Sequence, residues 1–198
     1  MKQSLLLSSI AVSSIAAEKC PNPLDVQDQK VKDSFDMKAF MGTYYEIAYH
    51  DYTQPIGICG CQRSRKEVND DGSILDRGSL NCGNTKSNDQ THSHTYEQPL
   101  TFKLTENPGV WIGNWPEPIV EKIAFHDTLI DFGPINENGQ YSWVLEFQCN
   151  ELFDHTAFVG INFYSSVKEH TFYEDMLKSI NDHKLHDYAF PKTGKQVT

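Results

Sequence analysis

From residue 41 to residue 164 the sequence is a succession of short runs rich in aromatic and β-branched residues, and turn signals interrupt most of them. Residues 41–50, 60–68, 73–82, 100–105, 110–115, 119–125, 128–131, 141–149 and 156–164 read as strands. Asn69-Asp70-Asp71-Gly72, Asn107-Pro108-Gly109, Pro116-Glu117-Pro118 and Asn136-Glu137-Asn138-Gly139 read as the turns between them. Gly and Asn tolerate positive φ there, and Pro cannot continue a ladder. Many short strands at this spacing fold as a sandwich or a barrel.

One later stretch follows a different period. Phe172, Tyr173, Met176, Leu177 and Ile180 recur at helical spacing, and Thr171 with Glu174 has the form of a capping box. The pattern predicts a single helix of about three turns after the last strand, its apolar stripe packed on the outside of the sheet. Ahead of the strands, residues 18–34 are polar, hold Pro21 and Pro23 and show no sustained period, so they read as an extended arm. Residues 191–198 are polar and read as a fraying tail.

The beginning of the chain reads as an address. Lys2 is followed by an apolar run over residues 5–15, and Ala16 and Ala17 are the small residues a signal peptidase needs, the pattern of a secretory signal peptide. The run, about 11 residues, is well short of the ~20 that cross a bilayer as a helix, and no later stretch comes closer, so no integral membrane segment is expected. Cleavage after Ala16 or after Ala17 leaves Cys20 near the new N-terminus; Glu18 and Lys19 before it argue against a bacterial lipid anchor. The remaining chain of roughly 180 residues fits one domain with a core of its own. Its organisation is a signal peptide at 1–17, an arm at 18–40, a barrel at 41–166, a helical segment at 167–185 and a tail at 186–198. The formal net charge is −10 and no basic run occurs, which weighs against nucleic acid and anionic membranes as partners.

Five cysteines, Cys20, Cys59, Cys61, Cys82 and Cys149, remain after cleavage. In an oxidising compartment they form two bridges and leave one over, and counting alone does not say which. If Asp71-Gly72 is a two-residue hairpin turn, Cys61 lies opposite Cys82 with Cα atoms ~4.5–5.5 Å apart, within bridging range. That register favours a Cys61–Cys82 bridge and leaves Cys59 odd; a longer turn shifts it and favours Cys59.

Gly42-Thr43-Tyr44-Tyr45-Glu46-Ile47 resembles the Gly-x-Trp-Tyr-Glu-Ile signature of lipocalins, with residues 35–40 in the place of their lead-in segment. Lys19-Cys20-Pro21-Asn22-Pro23 resembles the mature N-terminus of the apolipoprotein D branch, residues 141–149 its strand ending in a cysteine, and residues 157–164 its last strand. The resemblance covers most of the chain in order and implies an all-β fold: an eight-stranded antiparallel up-and-down barrel with one C-terminal helix packed outside. It also implies a Cys20–Cys149 bridge. Two departures stand out: Tyr44 replaces the signature tryptophan that closes the barrel floor, and Ser165 or Ser166 stands where an arginine would pack across it.

Function then resides in the barrel interior, wide enough for one small ligand. Tyr44 and Glu46 face inward by the resemblance; Trp111, Phe125, Trp143 and Phe147 are the aromatic candidates for the lining, with Trp143, Leu145 and Phe147 on one face of their strand. The expected activity is noncatalytic carriage of a small hydrophobic ligand such as a fatty acid, sterol, retinoid, carotenoid or other pigment. No cofactor is expected beyond a bound lipid or pigment. An enzyme acting on a lipid or xanthophyll is the alternative, with Cys59 as its thiol, but no base adjoins that cysteine and no catalytic motif occurs. His92 with His94, and His183 with His186, lack a third ligand, so no metal is expected. A protein partner held by the long loop at 83–98 is the third alternative.

Overall fold

The computed structural model describes residues 20–51, 59–82, 94–114, 124–152, 155–168, 172–185 and 194–195. Eight strands run in sequence order: β1 Gly42–Asp51, β2 Cys59–Val68, β3 Ile74–Cys82, β4 His94–Leu104, β5 Val110–Asn114, β6 Ala124–Phe132, β7 Trp143–Leu152 and β8 His155–Ser165. Each pairs antiparallel with the next, and β1 pairs with β8 as well as β2, so the sheet closes into an up-and-down barrel. A two-residue strand, β9 (Gly194–Lys195), adds to β1 at Ala48 and Tyr49.

Several elements differ from the sequence reading. β4 starts at His94, so residues 94–98 belong to the sheet rather than to a long loop. A single strand, β6, stands where the runs 119–125 and 128–131 were read separately, because Phe125, Asp127 and Leu129 continue one buried alternation through His126. The signal peptide, the rest of the 83–98 loop, Trp115, residues 119–123, Thr171, His92, His186 and most of the tail lie outside the described residues.

The arm is not extended. Asn22, Asp28 and Asp36 each accept a hydrogen bond from the backbone N–H two residues on, starting the short helices α1 Pro23–Val26, α2 Gln29–Ser34 and α3 Met37–Phe40. Polar residues that suggest a loop are therefore helix caps. Gln27 Nε2 donates to the carbonyls of Pro108 (2.8 Å) and Leu129 (3.1 Å), and Asp28 N–H to that of Ile130 (2.8 Å), fastening the arm to β6 and to the turn between β4 and β5. Gly109 permits this: its φ is +71°, and a Cβ there would meet Gln27 Nε2 and Val31 Cγ1 at 2.7 Å.

A Cys20–Cys149 disulfide, with Cα atoms 5.7 Å apart, ties the start of the arm to β7. Closing a loop of 129 residues removes unfolded-state entropy worth about 4–5 kcal/mol in the chain-entropy description. The second pairing follows a different register from the one a two-residue turn gives. Val68 faces Ile74 across a longer turn, and an irregularity between Gly60 and Arg63 shifts the ladder again, so Cys59, not Cys61, faces Cys82. The geometric case for a Cys61–Cys82 bridge is thereby removed; the side chains of these three cysteines lie outside the described ones.

The predicted helix is α4, Tyr173–Asp182, with Phe172 at its N-cap and no side-chain cap hydrogen bond in place of the expected capping box. Met176 and Ile180 are buried on its inner stripe against Ile130, Trp143, Leu145, Phe147, Ile161 and Phe163. A second apolar cluster gathers Phe40, Tyr44, Ile74, Phe102, Trp111, Phe125 and Leu129. The two clusters lie on opposite sides of the barrel wall.

Candidate functional site

One ion pair shows which side chains point inward. Lys66 on β2 reaches Glu146 on β7 at 3.0 Å, and these strands are not neighbours, so the contact crosses the barrel interior. Alternation along the strands then sets the rest. Ser64 and Lys66 face inward while Arg63 and Arg65 are exposed outside, and Val144, Glu146 and Gln148 face inward while Trp143, Leu145, Phe147 and Cys149 lie outside under the arm and α4. Trp143 and Phe147, read as ligand-lining, are thus not on the inner wall. Ala48, expected to share a face with Tyr44 and Glu46, joins the outer cluster because the β1–β8 register shifts between Glu46 and Ala48.

The other four candidates do face inward, in two layers. Trp111 and Phe125 belong to the aromatic floor: Trp111 stacks on Phe40 with centroids 4.7 Å apart and planes 8° from parallel, and Phe125 meets Phe102 edge-on at 5.8 Å. A Cβ on Gly113 would strike both Phe102 and Phe125 below 3 Å, so glycine lets these rings close. Tyr44 donates to the Ala39 carbonyl at 3.3 Å. The floor is thus closed by Phe40 on Trp111, with the Lys66 ammonium 5.1 Å above the Phe40 ring, in place of a tryptophan with an arginine across it. Ser166 instead donates to the Ser142 carbonyl at 3.0 Å.

Above the floor lies a layer of charge. Lys66, 3% exposed, donates to Asp76 Oδ2 at 2.7 Å as well as meeting Glu146, and Ser64 Oγ lies 2.8 Å from both Asp76 oxygens. Asp127, 3% exposed, receives a side-chain hydrogen bond from Gln148 through one oxygen, while its Oδ1 has no hydrogen-bond partner among the described residues. Glu46 Oε1 accepts from Asn162 Nδ2 at 2.8 Å, and Asn162, opposite Glu146 in the β7–β8 register, has an unpartnered Oδ1. The Tyr164 side chain sits among Glu46, Glu146, Asp76 and Asp127.

Burial dominates the electrostatics. It pushes the Asp127 carboxyl well above the usual carboxylate range, with the neighbouring Glu146 adding to the rise and Lys66 partly opposing it. Burial likewise raises Glu146, against the lowering pull of Lys66. For Lys66 burial favours the neutral amine, but Asp76, Glu146 and Asp127 outweigh it and hold its pKa above the ordinary lysine value. Burial raises Tyr164 well above its usual value, and the surrounding carboxylates add to that.

A cleft of about 240 Å³ opens beside this layer, where β1 and β2 part beyond the Tyr45↔Arg63 pair. Glu46, Gln62 and Leu80 line it together with Tyr45, Arg63 and Lys168. Among the described residues no group of three or more His, Cys, Asp and Glu side chains is arranged to hold a metal ion. His183 Nδ1–H instead donates to the Ser179 carbonyl of its own helix, 2.7 Å away, and His183 Nε2 lies 3.4 Å from Asp28 Oδ2. No helix among the described residues is long and apolar enough to cross a membrane.

Apart from Glu46, the charged layer is absent from the sequence reading. Its other legible trace is parity: if an apolar helix covers Trp143, Leu145 and Phe147 from outside, Glu146 and Gln148 are what remains for the interior. No known protein-family model matches this chain, and no curated protein is significantly similar to it.

Proposed function

We propose that this protein is a secreted, lipocalin-type carrier that holds one small molecule in the barrel, its apolar body toward the aromatic floor and a polar group at the charged layer. The observation that carries this reading is that the inner face holds both a cluster of packed rings and buried acceptors without a hydrogen-bond partner, Asp127 Oδ1 and Asn162 Oδ1. Leaving such atoms without a donor costs about 1–3 kcal/mol each, and a bound ligand removes that cost. The Gly42-Thr43-Tyr44-Tyr45-Glu46-Ile47 signature supports the family reading, and the Cys20–Cys149 bridge supports export to an oxidising compartment. The role is carriage, with no chemistry on the ligand; the apolar part of the cargo belongs to the lipid, retinoid or pigment class. A cleft of about 240 Å³ lies below the ~300–1,000 Å³ of drug-sized sites, which favours the smaller members of that class.

Organic extraction and native mass spectrometry of protein purified from its secreting source test the proposal, together with fluorescence titration by apolar probes. Saturable quenching is expected, abolished in Trp111→Phe and retained in Trp143→Phe, because only Trp111 of this pair faces the interior. No extractable molecule and no quenching by any probe would sink the carrier reading.

A further inference from the structure

The two cations that line the cleft at the β1–β2 seam, Arg63 and Lys168, make no ion pair among the described residues. Their neighbours on the same outer face do: Arg65 and Arg77 both turn to Glu67, at 2.7 and 3.9 Å. On a chain of formal net charge −10, two unanswered cations at one cleft stand apart. Arg63 projects from the outer side of β2, and the Lys168 ammonium stands 5.5 Å over the Tyr45 ring. Ser79 and Asn81 of β3 and Thr95 of β4 add hydroxyl and amide groups along the cleft, all able to donate to an anion, and Leu80 adds apolar surface. The carboxyl group in the described lining is that of Glu46, which is 1% exposed, faces inward and accepts from Asn162 Nδ2 at 2.8 Å. The outer end of the cleft is therefore cationic, and the carboxyl lies behind it on the inner side of the wall.

We propose that the outer end of this cleft is a ligand site in its own right, separate from the barrel interior, and that it takes a small organic carboxylate with a flat apolar body. The planar guanidinium of Arg63 offers paired N–H donors that match the two oxygens of a carboxylate, and Lys168 adds a point charge. The Tyr45 ring and Leu80 supply apolar contact that an inorganic anion would leave unused. An amine would meet two like charges there, and a neutral alcohol gains nothing from them. A volume of about 240 Å³, below the range of drug-sized sites, suits a molecule of one ring. Of the inner charged layer only Glu46 reaches this cleft, and no ring of the aromatic floor lines it. The site therefore stands whether or not the interior holds a cargo.

The test is chemical-shift titration of the isotope-labelled, disulfide-bonded protein at neutral pH with benzoate, benzyl alcohol and benzylamine, which share one ring, and with inorganic sulfate. Benzoate is expected to bind about tenfold tighter than benzyl alcohol, the reach of two exposed ion pairs, with benzylamine weakest. Its affinity is expected to fall as sodium chloride is added. The amide signals of Tyr45, Ser79 and Thr95 are expected to move while those of Trp111 and Phe125 stay. Arg63→Gln and Lys168→Gln, both at exposed positions, are each expected to weaken benzoate about threefold and to leave benzyl alcohol unchanged. Benzyl alcohol or benzylamine binding as tightly as benzoate overturns the proposal. Sulfate matching benzoate also overturns it, leaving a site for an adventitious ion only. Benzoate shifts confined to Trp111 and Phe125 would put the carboxylate in the interior and remove the separate site. Absence of binding by every probe overturns the proposal as well, while the carrier reading, which is tested by quenching of Trp111, is untouched.

Discussion

The two faces of β7 are built on opposite principles. Outside, Trp143, Leu145 and Phe147 pack against Met176 and Ile180 of α4 in a cluster of apolar residues closed by the Cys20–Cys149 bridge. Inside, between Leu145 and Phe147 on the same strand, Glu146 shares an ammonium with Asp76 and stands opposite Asn162. A barrel usually reserves its interior for apolar side chains and its exterior for solvent; here the helix and arm take over the exterior of β6 to β8, and the apolar face of the strand turns to meet them. The outer face carries stability by burial, which is cumulative and forgiving. The inner face carries specificity, in which every charge depends on the others.

That contrast is broken most directly at Lys66. Lys66→Met removes the ammonium but keeps most of the stem, leaving Asp76 and Glu146 to face each other without a counter-ion. Taking one partner from a buried pair costs about 3–5 kcal/mol, read as a fall in the urea midpoint at neutral pH. A loss below 1 kcal/mol, by an order-of-magnitude reading, would mean that the inner layer relaxes as easily as an apolar core. On the outer face Met176→Ala deletes a fully buried side chain and is expected to cost about 2–3 kcal/mol, the lower part of the range for such truncations, because a ten-residue helix can settle toward the gap. It should also leave the quenching of Trp111 by bound probes unchanged, since no inner residue moves. A change in that quenching would show that the two faces are coupled through β7.

What the sequence discloses of this molecule follows the same division. The succession of strands and the closing helix are legible because turn residues and helical period are local signals, whereas the eight-strand count and the arm's attachment at Cys149 come only through the resemblance. The three arm helices are hidden because Asn22, Asp28 and Asp36 are as much loop residues as caps, and only the hydrogen bonds they make decide between the two. The inner site is hidden for a different reason. Ser64 and Lys66 sit in the wholly polar stretch Gln62-Arg63-Ser64-Arg65-Lys66-Glu67, where alternation of hydrophobicity carries no information about which face is buried. On β7 the alternation is clear but its direction is inverted: Trp143 and Phe147 are apolar and yet outside. Tyr44, Glu46, Trp111 and Phe125 are placed inside by both routes, since no helix competes for their faces.

The smallest of the expected effects has an unusual sign. Burial, and then the neighbour Glu146, raises the Asp127 carboxyl well above the ordinary range, and burial raises Glu146 against the lowering pull of Lys66. In the unfolded chain both ionise near pH ~4, so above that pH the folded protein keeps protons that the unfolded chain has released. Each such group therefore removes stability as pH rises, by about 1.4 kcal/mol per pH unit until its folded pKa is reached. The raised pKa of Lys66 acts only where the free lysine would lose its proton, well above this window. Asp127→Asn replaces the protonated form with a neutral amide of the same shape. It is expected to match the unmodified protein near pH 4 and to exceed it at pH 8, the gap widening with pH until the folded pKa of Asp127 is passed. Urea unfolding of both proteins at pH 4, 6 and 8 reads the difference, in which every other titrating group cancels. If Asp127→Asn instead weakened the fold more at pH 8 than at pH 4, Asp127 would be an ionised partner of Lys66. The inner layer would then hold its charges already paired.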